Sequence, residues 1–301
     1  MKFRYTLEPY SNRRLLYRCP SCLKKEFVRY IDTDNGELLP EEFGRCNREI
    51  KCGYFRKCNS NKIISSVVYR SNLKDSSIFE NLDSEILVSS QLNYEITRNP
   101  LCKFLMQYFE REKIFEILEL YQVKSQILGN QILTLFPLID NEQKLRALKK
   151  MKYNQTTGKR HKFFFRWHNP KKLKLQQCLF GLHLLEHKKF KETEKVYIVE
   201  SEKTAIIASL KYTNLLFMAT GGLNNLTSNR LRPLMGKQII LIPDLAPTDA
   251  VNNPYLLWKE KGAMISRDIK AKISINTMLL DIATEAQKDE QWDLADFIII
   301  D

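Results

Sequence analysis

The sequence predicts an α+β multidomain chain: a small cysteine-rich module, a helical and small antiparallel-sheet middle region, and a C-terminal α/β domain with a mostly parallel sheet. Three observations carry that reading. Five of the seven cysteines fall within the first 58 residues, one central block holds as much net positive charge as the whole chain, and short apolar runs alternate with helical stretches from Val196 onward. The expected divisions are 1–62, 63–193 and 194–301.

With 301 residues, 44% hydrophobic and 11% aromatic, the chain can bury real cores, which excludes a disordered protein. The net charge of +13 points to a polyanionic partner. Between Lys144 and Lys195 sixteen Lys and Arg face three Glu, and Tyr153, Phe163, Phe164, Phe165 and Trp167 interleave with the cations, so this block is expected to fold. Met1-Lys2-Phe3-Arg4-Tyr5 leads into polar residues without an apolar targeting core, and no run reaches the length of a membrane span. A cytoplasmic location and no membrane partner are the expectation.

In the first region, Cys19-Pro20-Ser21-Cys22 is followed by Cys46 and Cys52, giving C-x2-C, twenty-three intervening residues and C-x5-C. A tight knuckle supplies two thiolates from one turn, and four clustered thiols in a reducing compartment suit structural Zn²⁺ better than disulfides. Gly44 and Gly53 flank the second pair where the backbone must approach closely. Cys58 repeats the five-residue spacing and competes as a ligand, whereas Cys102 and Cys178 are isolated and read as small buried hydrophobes. The Asp34-Asn35-Gly36 turn fits a hairpin-based module. Cations such as Arg18, Lys25, Arg29 and Arg45, with Tyr17, Phe27, Tyr54 and Phe55, give it the composition of a nucleic-acid-binding ribbon, although several of these rings must serve as its core.

From Ser71 to about Gln126 the pattern is helical: Leu101, Phe104, Leu105, Tyr108 and Phe109 follow the helix-starting Asn99-Pro100, and Ile114 to Tyr121 continues it. Between Gln131 and Trp167, strand-like runs and the Thr156-Thr157-Gly158-Lys159 turn predict a small antiparallel sheet with a basic face. Lys149, Lys150, Lys152, Lys159, Arg160 and Arg166 are the cations expected to meet nucleic acid.

In the last region, Val196–Val199, Leu215–Ala219, Gln238–Ile242, Ala263–Ser266 and Phe297–Ile300 read as strands of a mostly parallel sheet covered on both faces. Functional groups gather at the carboxyl ends of such strands. Glu200 ends the first and Asp244 follows the third, so neighbouring strands would bring the two carboxylates to one rim, able to hold Mg²⁺ against a phosphate.

Here the residues resemble the Toprim family, shared by bacterial primases, topoisomerases and some nucleases. Val199-Glu200-Ser201-Glu202-Lys203-Thr204-Ala205 looks like its V-E-G-x-x-D-A motif, Ala219-Thr220-Gly221-Gly222 like its glycine turn, and Pro243-Asp244-Leu245-Ala246 like its D-x-D motif with only the first acid. The upstream order of parts, Cys19-Pro20-Ser21-Cys22, then Phe136-Pro137-Leu138-Ile139-Asp140, then Lys149 to Tyr153, is similar to that of primase-like Toprim proteins on Bacteroidetes mobile elements. The resemblance implies Glu200 and Asp244 as catalytic residues and Mg²⁺ or Mn²⁺ ligands, with Lys203, Gly221 and Gly222 on the cofactor-binding side. It implies single-stranded DNA, nucleotides, and a helicase or mobilisation protein as partners. Thr204 and Ala246 depart from the family pattern, with Asp249 or Asp268 as candidate replacements for the missing aspartate.

Two functions follow: a primase-like nucleotidyltransferase, or a catalytically degenerate DNA-binding accessory, which the missing aspartate favours. A zinc hydrolase fits poorly, because His161, His168, His183 and His187 supply no H-E-x-x-H. His183 and His187, four apart on an expected helix, are expected to be packed or solvated.

Overall fold

A computed structural model describes residues 5–8, 16–32, 38–57, 80–87, 96–169, 173 and 175–300; the Asp34-Asn35-Gly36 turn and Cys58 lie outside the described residues. The chain forms two compact units, Met1–Ser77 with Ala246–Leu256, and Ile78–Leu245 with Leu257–Asp301. The expected division at 193/194 falls inside the second.

The first unit is an antiparallel sheet of β1 (Tyr5–Leu7), β2 (Tyr17–Arg18), β3 (Lys25–Asp32), β4 (Gly44–Cys46) and β5 (Phe55–Arg56). β3 is central and pairs with β1, β2 and β4, and β5 adds to β4. So small a module has no large apolar core. Phe27, fully buried, packs with the four cysteines instead. Gly44 is obligatory: a Cβ there would stand 2.2 Å from the Val28 carbonyl and 2.5 Å from the Phe27 ring.

In the second unit, the Asn99 side chain caps α1 (Pro100–Leu105), accepting from the Leu101 N–H at 2.9 Å. The same side chain donates to Ser125 Oγ and accepts from Thr134 Oγ1, both at 2.8 Å, which ties the helix to the neighbouring sheet. α2 (Arg111–Leu120) follows, then β6 (Lys124–Leu128), β7 (Gln131–Ile139), β8 (Leu145–Tyr153) and β9 (Arg160–Trp167), antiparallel in sequence order. β6 replaces the end of the expected helical stretch. The cause is local: Gln122 turns to positive φ, and Gly129-Asn130 closes a two-residue hairpin in which Leu128 pairs with Gln131.

The rest of the unit runs β10 (Lys195–Val199), α3 (Glu202–Lys211), β11 (Leu216–Ala219), α4 (Ser228–Leu231), β12 (Gln238–Leu241), α5 (Pro254–Ile269), β13 (Lys272–Ile275), α6 (Met278–Ile282), α7 (Glu285–Asp289) and α8 (Leu294–Ile300). The sheet order is β11-β10-β12-β13, parallel throughout. Two expected strands are helical. Ala263–Ser266 lies within α5, whose buried positions Pro254, Trp258, Gly262, Ile265 and Ile269 keep a helical period. Phe297–Ile300 lies within α8, started by an Asp293 cap. The fourth strand is β13, an edge strand of Lys-Ile-Ser-Ile with alternating exposure.

Tyr121, fully buried at the end of α2, joins the layers. Its hydroxyl donates to the Phe217 carbonyl of β11 at 2.6 Å and lies 2.8 Å from Ser209 Oγ on α3, while its ring stacks on Phe180. Tyr121→Phe leaves the Phe217 carbonyl without this donor, so urea denaturation should show a loss of about 1–3 kcal/mol; an unchanged midpoint would contradict the role given to this hydroxyl.

Candidate functional site

The Sγ atoms of Cys19, Cys22, Cys46 and Cys52 all lie within 4.8 Å of one another. Cys19 and Cys22 sit on a tight knuckle in which the Leu23 N–H returns to the Cys19 carbonyl at 2.9 Å. In the longer second loop the Cys52 and Gly53 N–H groups both donate to the Arg48 carbonyl, at 2.8 and 3.1 Å, with Gly53 at φ +64°. This extra turn absorbs the five-residue spacing and returns Cys52 to the cluster. Burial opposes ionisation of Cys22, but the Lys24 N–H and the thiols of Cys52, Cys19 and Cys46 outweigh it and bring Cys22 down to about 7. Four soft donors at this spacing, three of them buried, fit structural Zn²⁺. Cys102 and Cys178 are the opposite case, pushed up by burial to about 11 and about 12.

Phe27 is the ribbon's core ring, with Tyr54 against it at 5.7 Å. Phe55 is 45% exposed beneath the Lys57 ammonium.

The second site lies at the carboxyl edge of the parallel sheet. β10 and β12 are neighbours with Ile198 opposite Leu241, so Glu200 and Asp244 leave the sheet at the same edge. The Glu200 carbonyl is fixed by the Gly221 N–H at 2.9 Å. Asp244 is held well above the carboxylate range, first by burial and then by the negative charges of Glu200, Asp293 and Asp296, against which Lys203 acts. Asp296 is raised too, by burial and Asp293, with Lys203 and Lys159 opposing. Besides Glu200, the acids acting on Asp244 are therefore Asp293 and Asp296, whereas Asp268 is exposed beside Arg232 at 4.0 Å and Asp249 belongs to the first unit. Among the described residues, no three carboxylates reach the mutual spacing of the four thiols.

The sequence reasoning missed Asp293 and Asp296, although Asp-Leu-Ala-Asp ahead of an apolar run is a capping signature. Asp293 Oδ1 accepts from the Ala295 and Asp296 N–H groups, Asp296 Oδ2 accepts from the Asp293 N–H, and Thr204 Oγ1 donates to Asp293 Oδ2 at 2.8 Å. That last bond fastens α8 to the start of α3, where the Ser201 side chain caps the helix through the Thr204 N–H.

Lys149, expected on the nucleic-acid face, is instead 4% exposed, and its Nζ lies 2.6 and 2.8 Å from the two carboxylate oxygens of Glu202 and 3.4 Å from the Gly221 carbonyl. Its strand position points it inward, from β8 to the first turn of α3. Gly221 and Gly222 adopt φ +77° and +152°; a Cβ on Gly221 would stand 3.0 Å from Glu202 Oε1. Arg230 donates to the Thr220 carbonyl at 2.6 Å, bracing the same turn. Lys150 is half-buried and donates to Gln126, Lys152 is half-buried, and Lys159, Arg160 and Arg166 are exposed. His183 is buried with Nε2 on the Leu120 carbonyl.

Residues 3–64 match a family model described as a zinc beta-ribbon finger, and residues 99–245 match a domain of unknown function, DUF6371. No curated protein matches the chain. Among solved structures, the chain is similar to the primase fragment of the bacteriophage T7 primase-helicase protein (10% identity, 87% of this chain and 90% of that one, TM-score 0.39). It is similar to the zinc-binding and RNA polymerase domains of the Aquifex aeolicus primase (15% identity, 71% and 51%, TM-score 0.37) and to the E. coli primase catalytic core (11% identity, 67% and 77%, TM-score 0.37). No helix among the described residues is long and apolar enough to cross a membrane.

Metal analysis of the purified chain should find one zinc per molecule, and Cys19→Ser should lose it together with the ribbon's protection from proteolysis; retention of full zinc would rule out the four-thiol assignment. Lys149→Ala strands a buried carboxylate and should cost about 3–5 kcal/mol in chemical denaturation, most of it regained in Lys149→Met with Glu202→Leu. Equal losses in the single and double variants would count against the pair.

Proposed function

We propose that the chain is a primase-like, single-stranded-DNA-binding protein of DNA replication or mobile-element transfer, with a Toprim-type site for metal-dependent nucleotidyl transfer. The observation that carries this reading is the convergence of Glu200 and Asp244 at one edge of adjacent parallel strands, with Asp293 and Asp296 close enough to raise Asp244. Mutually repelling hard oxygen donors are the chemistry of a divalent-cation site. Glu200 and Asp244 would hold Mg²⁺ or Mn²⁺, which when bound neutralises phosphate charge and aligns the attacking oxygen. Asp293 and Asp296 add negative potential that favours the cation. Lys203 tempers it, and Gly221 and Gly222, whose positive φ shapes the turn that holds the Glu200 carbonyl, would stand with it on the cofactor side. The zinc ribbon and the exposed Lys159, Arg160 and Arg166 would hold the template strand.

In this reading 1–62, 63–193 and 194–301 are the ribbon, the basic middle region and the Toprim-like domain. Nucleotides are substrates, and a helicase or mobilisation protein is the partner class. The second reading, a DNA-binding accessory without catalysis, is favoured by Asp244-Leu245-Ala246, which carries one acid where the D-x-D pattern has two.

Ribonucleotide incorporation on single-stranded DNA separates the two. Under the enzymatic reading it requires Mg²⁺ or Mn²⁺ and falls by about two orders of magnitude or more in Glu200→Gln, with DNA binding retained. Salt-sensitive binding by a wild-type chain that makes no primers would establish the accessory reading instead.

A further inference from the structure

The edge strand β9 carries two aromatic rings that the proposed chemistry does not use. Phe165 pairs with Met151 and Trp167 with Lys149, so the four share one face of the antiparallel sheet. Met151 and Lys149 are 2% and 4% exposed, whereas Phe165 is 49% exposed. The face is thus closed over β8 and open at β9. Trp167 meets Phe165 edge-on, with centroids 5.5 Å apart and planes at 84°, which limits how far the exposed ring can turn.

Phe165 is linked to the acidic rim through Lys149 and the glycine turn. Lys149 Nζ stands 5.5 Å from the Phe165 centroid and 3.4 Å from the Gly221 carbonyl, and the Gly221 N–H holds the Glu200 carbonyl. Because Glu202 already neutralises Lys149, the ring's surroundings offer little to a phosphate at this point. Lys159, Arg160 and Arg166, all exposed, supply the cations on the same strand and the turn before it. A half-exposed ring on a strand that also carries exposed cations, Arg166 projecting from the other face over Phe164, matches the chemistry of an unpaired nucleotide, apolar π-face and anionic backbone together.

We propose that Phe165, braced by Trp167, is a stacking platform for an unpaired base of a single strand. This rests on the single-strand-binding reading and adds to it the residue and the mode of contact: base stacking at Phe165, with phosphates left to the neighbouring cations.

The test measures binding of a fluorescent oligothymidylate, and of the same strand carrying abasic sites, to wild type, Phe165→Ala and Phe165→Tyr across a salt series. Phe165→Ala should weaken binding about five- to a hundredfold with an unchanged salt slope, because no phosphate contact is lost. Phe165→Tyr, which keeps a ring, should bind as wild type and also exclude misfolding as the cause. Abasic substitution should weaken wild type and leave Phe165→Ala nearly unaffected. Wild-type affinity in Phe165→Ala, or an equal loss on normal and abasic strands, overturns the platform while leaving the primase-like reading standing. Base-dependent binding at Phe165 without primer synthesis leaves the platform and removes the catalysis. A wild-type chain that binds no single strand overturns both.

Discussion

The second unit is organised around a charge pair that both of its sheets must meet to satisfy. Lys149 comes from the antiparallel sheet and Glu202 from the first turn after the leading parallel strand, and each is almost wholly buried. Removing two such charges from water costs several kcal/mol each, which bidentate contact and the Gly221 carbonyl offset only in one geometry. A shift of β8 by one residue would carry Lys149 to the opposite face and turn Arg146, Lys150 and Lys152 towards the side that now buries Ala147 and Met151. The pair therefore specifies register more than it adds stability. It also sets the glycine turn, since Gly221 touches both partners, and through the Gly221 N–H it reaches the backbone of Glu200.

That linkage explains why the acidic rim can exist. Burial first, and then the neighbouring acids, disfavour charge on Asp244 and Asp296, and such a group stays together only if its backbone supports are held by other means. Parallel pairing of β10 with β12 fixes two of the acids, and the Thr204 to Asp293 bond fixes the helix that carries the other two. Electrostatic strain at the rim is thus opposed by buried hydrogen bonds one residue layer beneath it.

What could be read from the sequence follows the range of each interaction. The thiol cluster was legible because metal spacing is local, and the strands ending at Glu200 and before Asp244 were legible because buried parallel strands are continuous apolar runs. β13 was not, because an edge strand exposed on alternate residues lacks such a run. Phe297–Ile300 is such a run, yet it is helical; only the Asp293 cap distinguishes the cases. Lys149 was assigned to the surface because a cation in a basic block looks solvated. Its partner lies 53 residues away, and no local pattern announces a pairing that only the stacking of two sheets creates.

The same reasoning bears on the departures from the Toprim pattern. At Thr204 the chain has a hydroxyl where the family often has an acid, yet that hydroxyl holds Asp293. Negative charge is supplied there from α8 instead of α3. Since electrostatic potential depends on where charges stand and not on which element carries them, the proposed Toprim-type reading does not require the acid at position 204 itself. The missing partner of Asp244 is a different matter, because Ala246 has no donor and Asp293 has both oxygens occupied by its cap and by Thr204. Asp296 differs in that its cap engages one oxygen, Oδ2, and it is partly exposed.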